Sequence, residues 1–168
     1  MPSADEWIAH LGLVPLPEEG GLYRELYRSA EIIPQSALPQ RFSGDRCFVT
    51  SIYYLLKHPE FSAFHHLQQE ELWHFFDGDP LTVHLLYPDG RYEQVRLGRD
   101  YAVGETLQWV IPAGVIFAAS VDCPGGYSLI GCTVSPGFEF ADFAVPSRDQ
   151  LLAIYPQHQA IIWQLTRS

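Results

Sequence analysis

Residues 61–78, "FSAFHHLQQEELWHFFDG", hold three of the chain's seven histidines and the adjacent Glu70 and Glu71 among apolar neighbours. "SAFHHL" and "ELWHFF" read as neighbouring strands joined by "QQE". Side chains alternate across a strand, so Ala63, His65 and Leu67 share one face of the first, and Glu71, Trp73 and Phe75 share one face of the second. If those faces coincide, His65 meets Glu71 inside. His66 and His74 then fall on the opposite faces, and only a bulge or slip would bring either beside His65.

The surrounding texture supports strands. "GGLYRELYRS" from Gly20 alternates with period two. "CFVTSIYYLL", "LTVHLLY", "RYEQVRL", "LQWVI", "VIFAASV" and "YSLIGCTV" follow at short intervals, each bounded by turn residues. Pro88 to Gly90 supplies a preset φ and then residues that tolerate a tight turn, which predicts a hairpin. Ser3 with Glu6, and Ser147 with Gln150, are capping boxes. The first precedes Trp7, Ile8 and Leu11 and stops at Gly12. The second precedes "LLAIY", with Pro156 separating it from "HQAIIWQL". The pattern predicts an all-β sandwich or barrel with short N-terminal and C-terminal helices. No linker or repeat divides it, so we expect one domain over residues 1–168, its core at about 20–145 and a helical extension at about 147–166.

At 168 residues, with 47% hydrophobic content, the chain is long enough to bury a substantial core. A net charge of −10 and the lack of any Lys/Arg run exclude an electrostatic footprint for nucleic acid or an anionic membrane. Apolar stretches such as "VIPAGVIFAASV" are shorter than a bilayer span and contain Pro and Gly. The acidic start "MPSADEWIAH" lacks a signal-peptide profile, so a soluble, cytoplasmic protein is expected. Cys47, Cys123 and Cys132 show no C-x-x-C spacing and are expected to be buried, reduced thiols.

The histidine and glutamate cluster admits two readings. A satisfied core pair, with His65 donating to Glu71 or a carbonyl, needs no ligand. A functional pocket would use the same groups for acid–base or metal chemistry, although two ligands do not make a stable metal site. His10, His58, His84 and His158 have no comparable partners and read as structural or solvent-exposed. Tyr53 or Tyr54 is a candidate acid, and alternation allows only one of them to face inward. Arg24 and Arg28 share a strand face and read as partners for surface Glu, with an anion-holding role as the alternative.

The spacing His65, x, Leu67, three residues, Glu71, six residues, Gly78 resembles the first cupin motif, with Leu67 where a second histidine belongs. "PAGVIF" resembles the start of the second motif, with Pro112 and Gly114 in place and Phe117 where its histidine belongs. Two of the four usual metal ligands are thus missing. More narrowly, "GGLYRELYRS", "TSIYYLL", "FSAFHHLQQEELWHFFDGDPL", "VHLLYPDG", "IPAGV" and "LIGCTVSPGFEFADF" together resemble the cupin-5 family, domain of unknown function 985, from about Gly20 to Phe143. That resemblance implies a double-stranded β-helix jelly roll, a cupin barrel, commonly dimeric, with a cavity of small-molecule size. It implies no particular reaction. The wider superfamily holds metal-dependent enzymes, sugar isomerases and epimerases, and non-catalytic binding proteins.

The leading expectation is a cupin-like protein that binds a small polar, sugar-like ligand in its barrel and works as a homodimer. Ser51, Tyr53, His65, Glu71, Trp73, Gln108 and Phe117 are the expected ligand-binding residues. The alternative is a metal-free or weakly metal-assisted isomerase or epimerase with His65 and Glu71 catalytic. The third reading is a dimeric assembly protein whose interface uses "CFVTSIYYLL". No cofactor is expected. If a divalent transition metal is taken up, His65 and Glu71 are its candidate donors.

Overall fold

Both capping boxes form. In this computed structural model, which describes residues 2–167, Ser3 caps α1 (Ala4–Leu11) reciprocally with Glu6, and Gly12 ends it in the left-handed conformation at φ 63°. Ser147 and Gln150 do the same for α2 (Arg148–Ile154), and α3 (Gln159–Gln164) follows beyond Pro156. Between them run thirteen strands. They are β1 (Val14–Pro15), β2 (Leu22–Arg28), β3 (Ile32–Ile33), β4 (Arg46–Cys47), β5 (Thr50–Lys57), β6 (Phe61–Leu67) and β7 (Glu70–Gly78). There follow β8 (Leu81–Leu86), β9 (Tyr92–Leu97), β10 (Gln108–Ile111), β11 (Ile116–Val121), β12 (Tyr127–Ser135) and β13 (Phe143–Ala144).

The strands form two antiparallel sheets, one ordered β1-β2-β5-β12-β7-β10 and the other β13-β6-β11-β8-β9, with β3 and β4 paired apart. The predicted hairpin joins β8 and β9, Leu86 opposite Tyr92, with Gly90 at φ 88° where a side chain would be strained. The core lies between the sheets and includes Trp73, Phe75 and Ile130 from the first and Leu85, Phe117 and Ala119 from the second. This is the expected double-stranded jelly roll.

The helices cover the outer faces. α1 lays Trp7, Ile8 and Leu11 over Leu55 and Leu129 of the six-stranded sheet. α2, α3 and the residues after them put Leu151, Ile162 and Leu165 over Phe64, Leu86 and Ala118 of the other. Each such fully buried aliphatic side chain contributes about 1.5–3 kcal/mol.

Two expectations are corrected. β6 and β7 are not paired neighbours. The two-residue link Gln68–Gln69 carries the chain from one sheet to the other, so their inner faces look at each other across the barrel. Cys123 is exposed, whereas Cys47 and Cys132 are buried, and all three are free thiols. No helix among the described residues is long and apolar enough to cross a membrane.

Candidate functional site

A cavity of about 150 Å³ opens at one end of the barrel, and the buried acid–base side chains of Glu19, His65 and Glu71 reach it from three elements. Leu16, Leu67, Cys132 and Val134 supply apolar wall, and Phe138, Phe140 and Phe143 stand at the mouth with Arg28. The volume is below the roughly 300–1,000 Å³ of drug-sized sites, which limits the space to a small metabolite.

His65 reaches the cavity because β6 is bulged. Phe117 of β11 faces His65 while Ala119 faces Ser62, so β6 carries one residue more than its partner over that stretch. The extra residue puts Ser62 and His65, three positions apart, on the same carboxylate. Ser62 Oγ donates to Glu19 Oε1 at 2.8 Å, and His65 Nε2 lies 3.7 Å from Glu19 Oε2. His65 Nδ1 lies 2.7 Å from the Ala63 carbonyl, which can only accept, so Nδ1 carries a proton and Nε2 is the atom that can exchange one. The ring packs on Phe117 and Phe143, at centroid distances of 4.1 and 5.5 Å.

Glu71 enters from β7, opposite Ile111 of β10 and Val134 of β12. It is 7% exposed and, among the described residues, faces no cation within ion-pair distance. Burial first, and the nearby Glu19 carboxylate second, push its pKa from 4.5 up to about 8. Trp73 and Cys132 lie close enough to oppose part of that rise, although Trp73 Nε1 completes no hydrogen bond of normal geometry. At neutral pH Glu71 is therefore a protonated carboxylic acid, able both to donate and to accept.

The mouth is held by two cation clusters. Arg28 grips Glu25 through two hydrogen bonds of 3.1 and 3.0 Å, Glu139 at 2.8 Å and the Phe138 carbonyl at 3.0 Å. Deeper, Arg46 makes a bidentate pair with Asp142 at 2.6 Å, and Gln69 donates to the same carboxylate. Gln69 belongs to the link between β6 and β7, so this pair ties that crossing to the aromatic segment Phe138–Phe143.

Of the residues expected at the site, the structure brings His65, Glu71, Trp73 and Phe117 to the interior. Trp73 and Phe117 pack edge-to-face at 5.7 Å behind the cavity. Ser51, Tyr53 and Gln108 lie elsewhere. On β5 it is Thr50, Ile52 and Tyr54 that face in. Ser51 approaches Thr133 at 3.4 Å, and Tyr53 packs under α1 against Phe76. Gln108 is paired with His74 and exposed on the outer face, because β10 turns Trp109 and Ile111 inward. His65 and Glu71 make no direct pair, since the carboxylate facing His65 is Glu19. Tyr54 is the inward tyrosine, but its hydroxyl is committed to the Gly20 carbonyl at 2.9 Å. Arg24 donates to the Leu11 carbonyl at the end of α1.

Glu19 escaped the sequence reading. It sits in "PLPEEGG", residues 15–21, which has no strand period, and the usable signal was an acidic pair followed by two glycines. The cavity does not fit the superfamily's metal centre: Leu67 and Phe117 carry no donor atom, and among the described residues no group of three or more His, Cys, Asp or Glu is placed to hold a metal ion.

With this geometry in hand, comparison with known proteins is informative. A Saccharomyces cerevisiae protein, the uncharacterised YML079W, is 34% identical over 134 residues, spanning 74% of this chain and 66%, just under two thirds, of its own length. The crystal structure of protein SO0799 from Shewanella oneidensis aligns over 99% of both chains at 41% identity and a TM-score of 0.89. A hypothetical protein from Leishmania major aligns over 99% of this chain and 100% of its own at 36% identity and 0.89. Oxalate decarboxylase from Bacillus subtilis aligns over 91% of this chain and 37% of its own at 16% identity and 0.55, a likeness of fold alone. Residues 5–146 match the family described as Cupin superfamily (DUF985), Cupin_5, and the chain belongs to that family.

Proposed function

We propose that the barrel binds a small, uncharged, hydroxyl-rich molecule of sugar-like type. The observation that carries this reading is Glu71, a buried carboxyl with no ion-pair partner among the described residues, which faces into the barrel cavity. Buried polar groups are normally satisfied, and one left open at a cavity wall is suited to a ligand. A neutral polyol needs donors and acceptors together. Protonated Glu71 offers both, Glu19 accepts, and two hydroxyls of one polyol could each donate to one of the facing acceptors, His65 Nε2 and Glu19 Oε2, which lie 3.7 Å apart.

Anions are disfavoured. The charged lining counts Glu19, Glu25 and Glu139 against Arg28, and Arg28 already serves two of those carboxylates.

The second reading is proton transfer, as in an isomerase or epimerase. It is favoured by the coexistence in one cavity of a carboxyl held protonated and an imidazole whose Nε2 is open to exchange. Under either reading the chain is expected to act as a homodimer, which light scattering would check.

A thermal-shift series tests the binding reading. Neutral monosaccharides and polyols near 100 times their Kd should raise Tm by about 5–10 °C, and a Glu71→Leu variant should lose the response. Stabilisation by sugar phosphates or sugar acids alone, or by nothing in the series, would sink it. Turnover of a stabilising sugar, lost in His65→Gln, would select the second reading.

A further inference from the structure

Glu19 enters the barrel by a backbone path that few sequences can follow. Glu18 has φ 65°, and Gly20 and Gly21 follow at 102° and 73°. A non-glycine residue in the left-handed region persists only where its surroundings hold it there. The turn closes on itself through Gly20 N–H to the Leu16 carbonyl and Glu19 N–H to the Pro17 carbonyl, and Arg167, just beyond α3, ties it to the rest of the barrel. Its Nε donates to the Glu18 carbonyl at 3.2 Å, and its Nη2 donates to the Glu19 carbonyl at 2.9 Å and to the Phe61 carbonyl at 3.1 Å. The guanidinium also lies over the Phe61 ring, 4.5 Å from its centroid. Arg167 is fixed in turn. Thr166 Oγ1 donates to the Ile162 carbonyl, Arg148 donates to Thr166 Oγ1 and its carbonyl, and Phe64 N–H donates to the Leu165 carbonyl.

One planar fork thus joins the turn that carries Glu19 to the start of β6, the strand that carries Ser62 and His65. The Ala63 N–H to the Glu19 carbonyl, at 2.8 Å, closes the same junction.

We infer that Arg167 is a positioning residue for the cavity, setting through the backbone where the Glu19 carboxylate stands relative to Ser62, His65 and Glu71. Its hydrogen bonds among the described residues go to backbone carbonyls and to none of those side chains. The inference rests on Glu19 being a working group of the site proposed above, but its test needs no ligand. If sugars fail to bind, the inference still stands or falls on its own result.

The sign of one titration separates positioning from mere charge. Deleting the Arg167 cation would by itself raise the pKa of a nearby carboxyl, whereas withdrawing Glu19 from the cavity removes a like charge and lowers the pKa of Glu71. Carboxyl ¹³C NMR of Glu71 should therefore be followed from pH 4 to 10 in wild type, Glu19→Gln, Arg167→Ala and Arg167→Lys. Folding of each variant is checked by Tm and amide spectrum. The Glu71 midpoint should fall by about one unit in Glu19→Gln, the scale of one nearby charge. It should fall in the same direction in Arg167→Ala. Arg167→Lys, a point charge in place of a fork, should lie between Arg167→Ala and wild type. A purely structural Arg167 would lower Tm and leave the midpoint where it is. A midpoint that stays or rises in Arg167→Ala overturns the inference, as does one that stays in Glu19→Gln. If Arg167→Ala does not fold, Arg167→Lys and Arg167→Gln carry the same reading.

Discussion

The two faces of the five-stranded sheet each bury a histidine among polar partners, and the two arrangements end differently. On the outer face, under the C-terminal helices, the donors form one directed chain. Gln94 Nε2 donates to Tyr92 Oη at 2.8 Å, so the tyrosine proton goes to His84 Nδ1 at 2.7 Å. His84 Nε2 then donates to Ser120 Oγ at 3.1 Å, and Ser120 to Asp122 at 3.2 Å. Each link of that chain sets a donor against an acceptor. On the inner face His65 Nε2 faces another acceptor, Glu19, and Glu71, reaching the same cavity from the opposite sheet, has no ion partner among the described residues. A closed chain of hydrogen bonds is structure, and it would remain silent to a ligand. The open one is where a ligand gains most, because it satisfies groups that the fold left unsatisfied.

The largest way to break the contrast is to open a satisfied cluster. Asp142→Ala leaves the Arg46 guanidinium buried and unpaired and should cost about 3–5 kcal/mol in urea unfolding. It should also loosen the aromatic mouth that Asp142 anchors.

The inner face should respond in the opposite sense. The folded-state pKa of Glu71 is raised above its unfolded value, so its contribution to stability is full below about 4.5 and is lost as pH rises through about 8. Glu71→Gln should therefore flatten the alkaline limb and gain roughly 3 kcal/mol over wild type at pH 9. Chemical denaturation from pH 5 to 9 reads this out. A Glu71→Gln protein with the wild-type pH profile would show that the carboxyl is not held protonated.

His84 has the reverse sign. Burial lowers its folded-state pKa to about 4, so stability is full above 6.5 and is lost as pH falls through 4. His84→Gln should flatten the acid limb, cost about 1–3 kcal/mol at pH 7 by orphaning Tyr92 or Ser120, and leave ligand-induced thermal shifts unchanged. Loss of those shifts in His84→Gln would erase the distinction between the two faces. The smallest effect is expected at Gln108. Exposed on the outer face, Gln108→Ala should stay within about 0.5 kcal/mol of wild type and bind normally.

What the sequence disclosed follows from which signals are local. Capping boxes, the Pro88–Gly90 turn and the alternation of Glu71, Trp73 and Phe75 depend on neighbours a few residues apart, and all appear in the structure. Pairing is not local. "SAFHHL" and "ELWHFF" look like a hairpin because so short a link usually makes one, yet they belong to opposite sheets. Facing was equally hidden in "TSIYYLL" and "LQWVI", where apolar residues occur on both sides and alternation fixes no phase. The registry Gln108↔His74 and the packing of Tyr53 under α1 settle it. The bulge in β6 that sets Ser62 and His65 on one carboxylate, and the turn that delivers Glu19 to them, arise from contacts with residues as distant as Phe117 and Arg167.

The central claim is that a carboxylic acid stands protonated in the barrel at neutral pH because burial and the nearby Glu19 carboxylate disfavour its charged form. Infrared difference spectroscopy reads that directly as the C=O stretch of a protonated carboxyl. The account predicts such a band at pH 7 in wild type, its disappearance as pH passes about 8, and its absence in Glu71→Gln. A wild-type spectrum at pH 7 that matches Glu71→Gln, with every carboxyl ionised, would contradict it.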